Sequence, residues 1–140
     1  MSMTIHVDIV SAEAEIFSGL AEMVFAPAEM GEVGIAPRHT PLISRLKAGT
    51  VRLIVEGKED QFFYVSGGIL EVQPHVVTIL ADSANRAKDL DEAAVEQAKQ
   101  RAEAALSSQQ GEVDLAHAQS ELLESIAQLA TIQKMRKNIS

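Results

Sequence analysis

The sequence predicts an α+β protein, an N-terminal antiparallel β-sandwich followed by a C-terminal two-helix hairpin. Three observations predict it. Up to about residue 82, apolar and polar side chains alternate between glycine and proline punctuation, as they do in half-buried strands. Beyond residue 88 glycine nearly vanishes, alanine dominates and the apolar period lengthens to that of a helix. No strand-helix-strand alternation interrupts the first part, which argues against a doubly wound parallel sheet. With 140 residues, 46% of them hydrophobic, the chain can build one modest core and an appendage. The expected division is 1–88 for the sandwich and 89–140 for the hairpin.

The first strand shows in Ile5, Val7 and Ile9 alternating against Thr4, His6 and Asp8. Further β-rich runs lie at 20–26, 41–46, 51–56, 61–66, 69–72 and 76–80, separated by turn signals such as Gly31, Gly49, Gly57, the Gly67-Gly68 pair and Pro74. Residues 83–88 mark the passage to the helical part. Asp89, with Glu92 three residues on, is the expected N-cap of the first helix, because the two side chains can satisfy backbone N–H groups that the first turn leaves unpaired. Leu90, Ala94, Ala98, Ala102, Ala105 and Leu106 then fall on one face. Residues 107–111 break this helix, and Asp114 is the expected cap of a second, whose stripe is Leu115, Ala118, Leu122, Ile126, Leu129 and Ile132. So short a connection folds the two helices back antiparallel.

The first helix offers mostly alanine methyls to its seam. A methyl-sized group contributes about 0.8 kcal/mol on burial, against roughly 1.5 to 3 kcal/mol for a full leucine or isoleucine. Such a seam holds its helix weakly, so the hairpin reads either as an arm that detaches or as an ordinary packed appendage. Straightened into one rod, residues 90–137 would reach about 70 Å.

Charge narrows the function. The formal net charge is -8, and residues 1–37 hold no lysine or arginine, which argues against the electrostatic grip that sequence-independent nucleic-acid binding needs. The chain has no cysteine, so it has no disulfide framework, thiolate nucleophile or cysteine-based metal site. It shows no secretory leader and no apolar run near the roughly 20 residues that span a bilayer, so membrane association is expected only through a partner. No acid follows Glu124, and Lys134, Arg136 and Lys137 close the chain. Those cations suit either the C-terminus of a helix or a docking role.

Catalytic chemistry finds no support. His6, His39, His75 and His117 are scattered without a second ligand at metal spacing, so no metal is expected. Ser66 lacks the G-x-S-x-G elbow of a hydrolase nucleophile and reads as part of a turn. The glycines between 31 and 34 are too few to cradle phosphate.

Three segments carry a resemblance: G-E-x-G-I-x-P-x-H-x-P-L at 31–42, V-S-G-G-I-L-E-V-Q-P at 65–74, and V-T-I-L-A-D at 77–82. In that order, and followed by Asp89-Leu90-Asp91-Glu92-Ala93, they resemble the epsilon subunit of bacterial F-type ATP synthase over essentially the whole chain. The resemblance implies a non-catalytic central-stalk rotor subunit, peripheral on the cytoplasmic face of the bacterial inner membrane. Its sandwich would sit beside the gamma subunit and on the c-ring, coupling their rotation to proton-driven ATP synthesis. The family's loop toward the c-ring and gamma subunit corresponds to Gly31, Glu32, Arg38 and His39, although the position of Arg38 is often glycine there. The family's C-terminal helices fold against the sandwich or extend among the alpha and beta subunits and inhibit hydrolysis; Lys134, Arg136 and Lys137 are the corresponding arm contacts. Some members also sense ATP through [IL]-D-x-x-R-A at the start of the first helix. Here Leu90 and Asp91 match but Ala94 stands where the arginine would be, leaving Asp91 and Arg101 as the candidate nucleotide contacts.

Overall fold

The computed structural model describes residues 3–108 and 111–139. Ten strands come first: β1 (Ile5–Ser11), β2 (Glu15–Ala21), β3 (Met23–Ala28), β4 (Gly31–Ile35), β5 (Leu42–Leu46), β6 (Gly49–Ile54), β7 (Gln61–Val65), β8 (Gly68–Val72), β9 (Val76–Ala81) and β10 (Ala84–Arg86). A 3-10 turn at Ala87–Asp89 leads to α1 (Glu92–Ser107) and α2 (Glu112–Ile139). The expected α+β architecture is the one observed.

Hydrogen bonds run through the strands in the order β10-β7-β6-β3-β5-β8-β9-β1-β2, with β4 on the free side of β3. The path folds over on itself where β3 touches β5 through one register pair, Ala28 with Leu46. Two layers result, and they face each other across Ile5, Val7, Ile9, Val24, Leu53, Phe63, Leu70, Val77 and Ile79, all buried. Alternation along each strand places these side chains on one face. The pairing is antiparallel except between β1 and β9, which run parallel from His6 opposite Val76 to Ser11 opposite Ala81. At the far ends of the path Arg86 on β10 donates to the carbonyl of Ile16 on β2, at 2.5 Å, and lies over the Phe63 ring. That contact draws the sheet toward a flattened barrel.

Gly68 shows why the Gly-Gly pair sits where it does. Its φ is +139°, and a Cβ there would lie 2.0 Å from the Leu80 carbonyl oxygen and 2.9 Å from the Cα of Ala81. β8 and β9 can approach this closely only over a residue without a side chain.

The hairpin forms as expected, with corrections at its ends. The N-cap of α1 is Asp91 rather than Asp89: its carboxylate accepts from the Ala94 N–H at 3.2 Å. Asp89 is taken into the preceding 3-10 turn, and Leu90 is extended. The passage at 83–88 is β10 and that turn rather than bare linker, because β10 pairs with β7. α2 begins at Glu112, which puts Asp114 inside its first turn instead of at the cap. Of the expected break at 107–111, Gln109 and Gln110 lie outside the described residues. The apolar stripes also shift. α1 buries Val95 and Ala102 and leaves Ala94 exposed, while α2 buries Ala118, Ser125 and Ile132 at seven-residue intervals and leaves Ile126 exposed.

Candidate docking interface

Two surfaces organise the molecule's contacts. The first is the face of β6 and β7 turned away from the sandwich core. β7 reads Phe62, Phe63, Tyr64, Val65, and all of these are buried. Phe63 and Val65 enter the core, so Phe62 and Tyr64 point the other way, and α2 covers them. A strand buried on both faces loses the polar half of its alternation, which accounts for the unbroken apolar run. Thr50 on β6 lies directly across from Tyr64, and its hydroxyl meets that of Thr131 on α2 at 2.7 Å, buried. Thr131 also donates to the Ala127 carbonyl at 3.0 Å, so it accepts from Thr50 and Thr50 is the donor. Further along, Arg52 lies between the Phe25 and Phe62 rings, donates to Asp60 at 2.6 and 2.9 Å, and reaches Asn138 at 3.4 Å. Two stacked rings and a carboxylate hold its guanidinium in place. α1 touches mainly α2 and rides on it.

The second surface is the outward face of the layer β5-β8-β9-β1-β2. Ile43, Ile69, Leu80 and Leu20 stand on it with 72%, 43%, 50% and 58% of their surface exposed. Ile69 is directly opposite Leu80 across β8 and β9, and Arg45 is opposite Ile69. Ile43, Ile69 and Leu80 lie on three neighbouring strands, an uncovered apolar patch of the kind that marks a contact surface, while Leu20 stands apart from them beyond Asp8 and Ser18. On the same face, the Ser18 hydroxyl donates to Asp8 at 2.7 Å, and His6 Nε2 lies 2.9 Å from Asp8 and 3.3 Å from Ser18. These are the residue types of a hydrolase triad in the wrong arrangement. The serine proton goes to the carboxylate instead of the imidazole, so nothing generates an alkoxide. The Ser18 hydrogen bond, opposed by partial burial and helped by His6, holds the Asp8 carboxyl below its ordinary value near 3.8.

The loop residues singled out in the sequence separate into two places. Gly31 opens β4 and Glu32 follows it. Arg38 and His39 lie beyond the other end of that strand, where the Arg38 N–H donates to the Pro74 carbonyl at 2.9 Å and ties the loop to the β8-β9 turn. Arg38 has φ +67°, a left-handed conformation that glycine adopts most readily. His39 Nδ1 is 2.7 Å from the Thr40 carbonyl, so that nitrogen carries the proton. Glu32 instead meets the basic end of α2: with Arg52, Phe62, Lys134, Lys137 and Asn138 it lines a cleft of about 360 Å³. Arg136 pairs with Glu92 at the start of α1. In this arrangement the three terminal cations face the chain's own surface. Asp91 and Arg101 do not converge. The first is engaged as a helix cap, and the second is exposed ten positions along α1, about 15 Å of helical rise away.

Among the described residues no group of histidine, aspartate and glutamate could hold a metal ion. No helix among them is long and apolar enough to cross a membrane.

Comparison with known proteins gives both halves a family. The β-sandwich domain of the ATP synthase delta/epsilon chain matches residues 4–87, and the long α-helix domain of the same chain matches residues 88–133. The ATP synthase epsilon chain of Nitrosococcus oceani is 69% identical over 140 residues, 99% of each chain. Epsilon chain 1 of Methylococcus capsulatus is 59% identical over 137 residues, 98% of each. Among solved structures, a chain in the mitochondrial ATP synthase of Euglena gracilis superposes with a TM-score of 0.72 at 17% identity, covering 98% of this chain and 82% of that one. At that identity the likeness is one of fold. With a sandwich and a helical hairpin each matched in turn, and close relatives aligned almost end to end, the chain belongs to the ATP synthase delta/epsilon family, as an accessory epsilon-type subunit rather than a catalytic one.

Proposed function

We propose that this chain is a central-stalk subunit of an F-type ATP synthase that docks through its sandwich and restrains ATP hydrolysis through its hairpin. The carrying observation is the uncovered apolar patch of Ile43, Ile69 and Leu80 on three neighbouring strands, of the kind that contact with another protein buries. That face fits the gamma subunit, and the braced loop at Arg38 and His39 fits the c-ring at the bacterial inner membrane. The hairpin's attachment supports its regulatory part. Only α2 touches the sandwich extensively, through a patch that mixes rings with hydroxyl groups, and α1 follows α2. Lifting the arm would free Lys134, Arg136 and Lys137 for acidic loops of the alpha and beta subunits. No observation favours the second reading, a nucleotide-sensing hairpin, because Asp91 caps a helix and Arg101 stands apart.

A tether tests the arm. The Thr50 and Thr131 hydroxyl oxygens are 2.7 Å apart and the chain has no cysteine, so T50C/T131C can form a single disulfide between sandwich and α2. Titrated into a purified alpha-beta-gamma core, the oxidised form is expected to bind without inhibiting hydrolysis, and the reduced form to bind and inhibit. Equal inhibition by both would remove the mobile arm from the proposal. Binding by neither would remove the docking itself.

A further inference from the structure

Tyr64 is completely buried, yet its hydroxyl oxygen has no hydrogen-bond partner among the described residues. The neighbouring group on β6 behaves differently: Thr50, directly opposite Tyr64, donates to Thr131. One patch under α2 therefore holds a satisfied hydroxyl and an orphaned one side by side. Burial and the carboxylate of Glu124 on α2 both push the Tyr64 phenol above its ordinary value near 10. A buried donor left unpaired forfeits the hydrogen bonds that water would give it, whereas the same donor on an open strand face recovers them.

We infer that the Tyr64 hydroxyl is a built-in lever against the docked arm, stabilising the state in which α2 has lifted from β6 and β7. The ring and the hydroxyl act in opposite directions. The ring fills the patch and holds α2 down, while the hydroxyl gains water when α2 leaves. Thr50 and Thr131 supply the counterweight, because lifting α2 breaks their hydrogen bond. An arm seated on apolar groups alone would have no such balance. The inference rests on the mobile-arm reading for its regulatory meaning but not for its physical content.

Two substitutions in the full chain separate this lever from ordinary packing. Tyr64→Phe keeps the ring and removes the orphan, while Thr50→Val keeps the shape and strands the Thr131 acceptor. Amide hydrogen exchange across residues 125–135 of α2 reads the result in the isolated protein, since a helix without its tertiary support is marginal in water. Exchange is expected to slow by about fivefold or more in Y64F, and to quicken in T50V. If apolar content alone governs seating, both variants slow exchange and the inference is overturned; unchanged exchange in Y64F overturns it as well. Hydrolysis by the alpha-beta-gamma core then tests the separate question. If Y64F slows exchange without weakening inhibition, the arm reading fails while the lever stands.

Discussion

Hydroxyl groups set the character of this molecule at the scale of single residues. Ser18 is an example on the open face. Its O–H is the largest influence lowering the Asp8 pKa. A carboxyl depressed in the folded state contributes stability above its unfolded pKa and loses it as the pH falls through the lowered value. In S18A the Asp8 carboxyl is therefore expected to titrate closer to 3.8, as read by NMR of the carboxyl carbon. The stability difference from the parent should be present at neutral pH and vanish once the pH has fallen below the lowered Asp8 value, where both states carry the proton. An unmoved titration curve would mean that His6 alone orients the carboxylate. The sequence offered no sign of this cluster, since residues 6, 8 and 18 meet only because β1 and β2 pair with His6 opposite Leu20 and Asp8 opposite Ser18. The Thr50-Thr131 pair is more remote still, its members standing 81 positions apart.

The elements were more legible than their ends. Periodicity located the first strand and the main later runs, because each alternates about a buried face. It passed over β2, β4 and β10, whose burial is partial and whose pairing depends on distant strands. The cap of α1 was misplaced by two residues because both Asp89 and Asp91 suit the role, and the 3-10 turn that decides between them is a tertiary feature. One further signal lies in the sequence of β7. Phe62 to Val65 break the alternation expected of a strand with one wet face, and that run announces the helix lying over β7. The Gly67-Gly68 pair reads as a turn in the sequence, whereas Gly68 opens β8 and its requirement is the approach of that strand to the Leu80 carbonyl. Gly68→Ala must part these strands or shift their register, and it is expected to destabilise the sandwich by roughly 3 kcal/mol, measured by urea unfolding. A loss below about 0.5 kcal/mol, the range of a neutral surface change, would show that the turn relaxes freely.

For the whole molecule, the two surfaces divide the labour. The face under α2 is used within the chain, and the apolar face of β5, β8, β9, β1 and β2 is left for something else. Ile69→Glu tests this division, because Ile69 is 43% exposed and stands opposite Leu80 and Arg45. The isolated variant is expected to melt within a few degrees of the parent and to leave α2 exchange unchanged, while its affinity for the alpha-beta-gamma core falls at least about tenfold, the loss of one well-buried contact. Undiminished binding would move the docking surface elsewhere. The family resemblance read from the G-E-x-G-I and V-S-G-G-I-L-E-V-Q-P segments was correct for the whole chain. The first of them does not form one site, however: β4 carries Glu32 toward the end of α2, while the loop beyond β4 takes Arg38 to Pro74 at the end of the second segment.

The parallel pairing of β1 with β9 sets the order of events when the chain is made. Among the described strands β1 is made before the others, but its central position between β2 and β9 is complete only after Ala81 has been synthesised. Until then the nascent chain carries a strand with an open edge, and the loop that must close to pair it spans most of the sandwich. Pairing over such a separation slows folding. The hairpin, which follows residue 88, therefore emerges while the sandwich is only just able to close, and α2 cannot seat before β6 and β7 present a finished face. Maturation thus runs in one direction, with the platform assembled before the arm that rests on it.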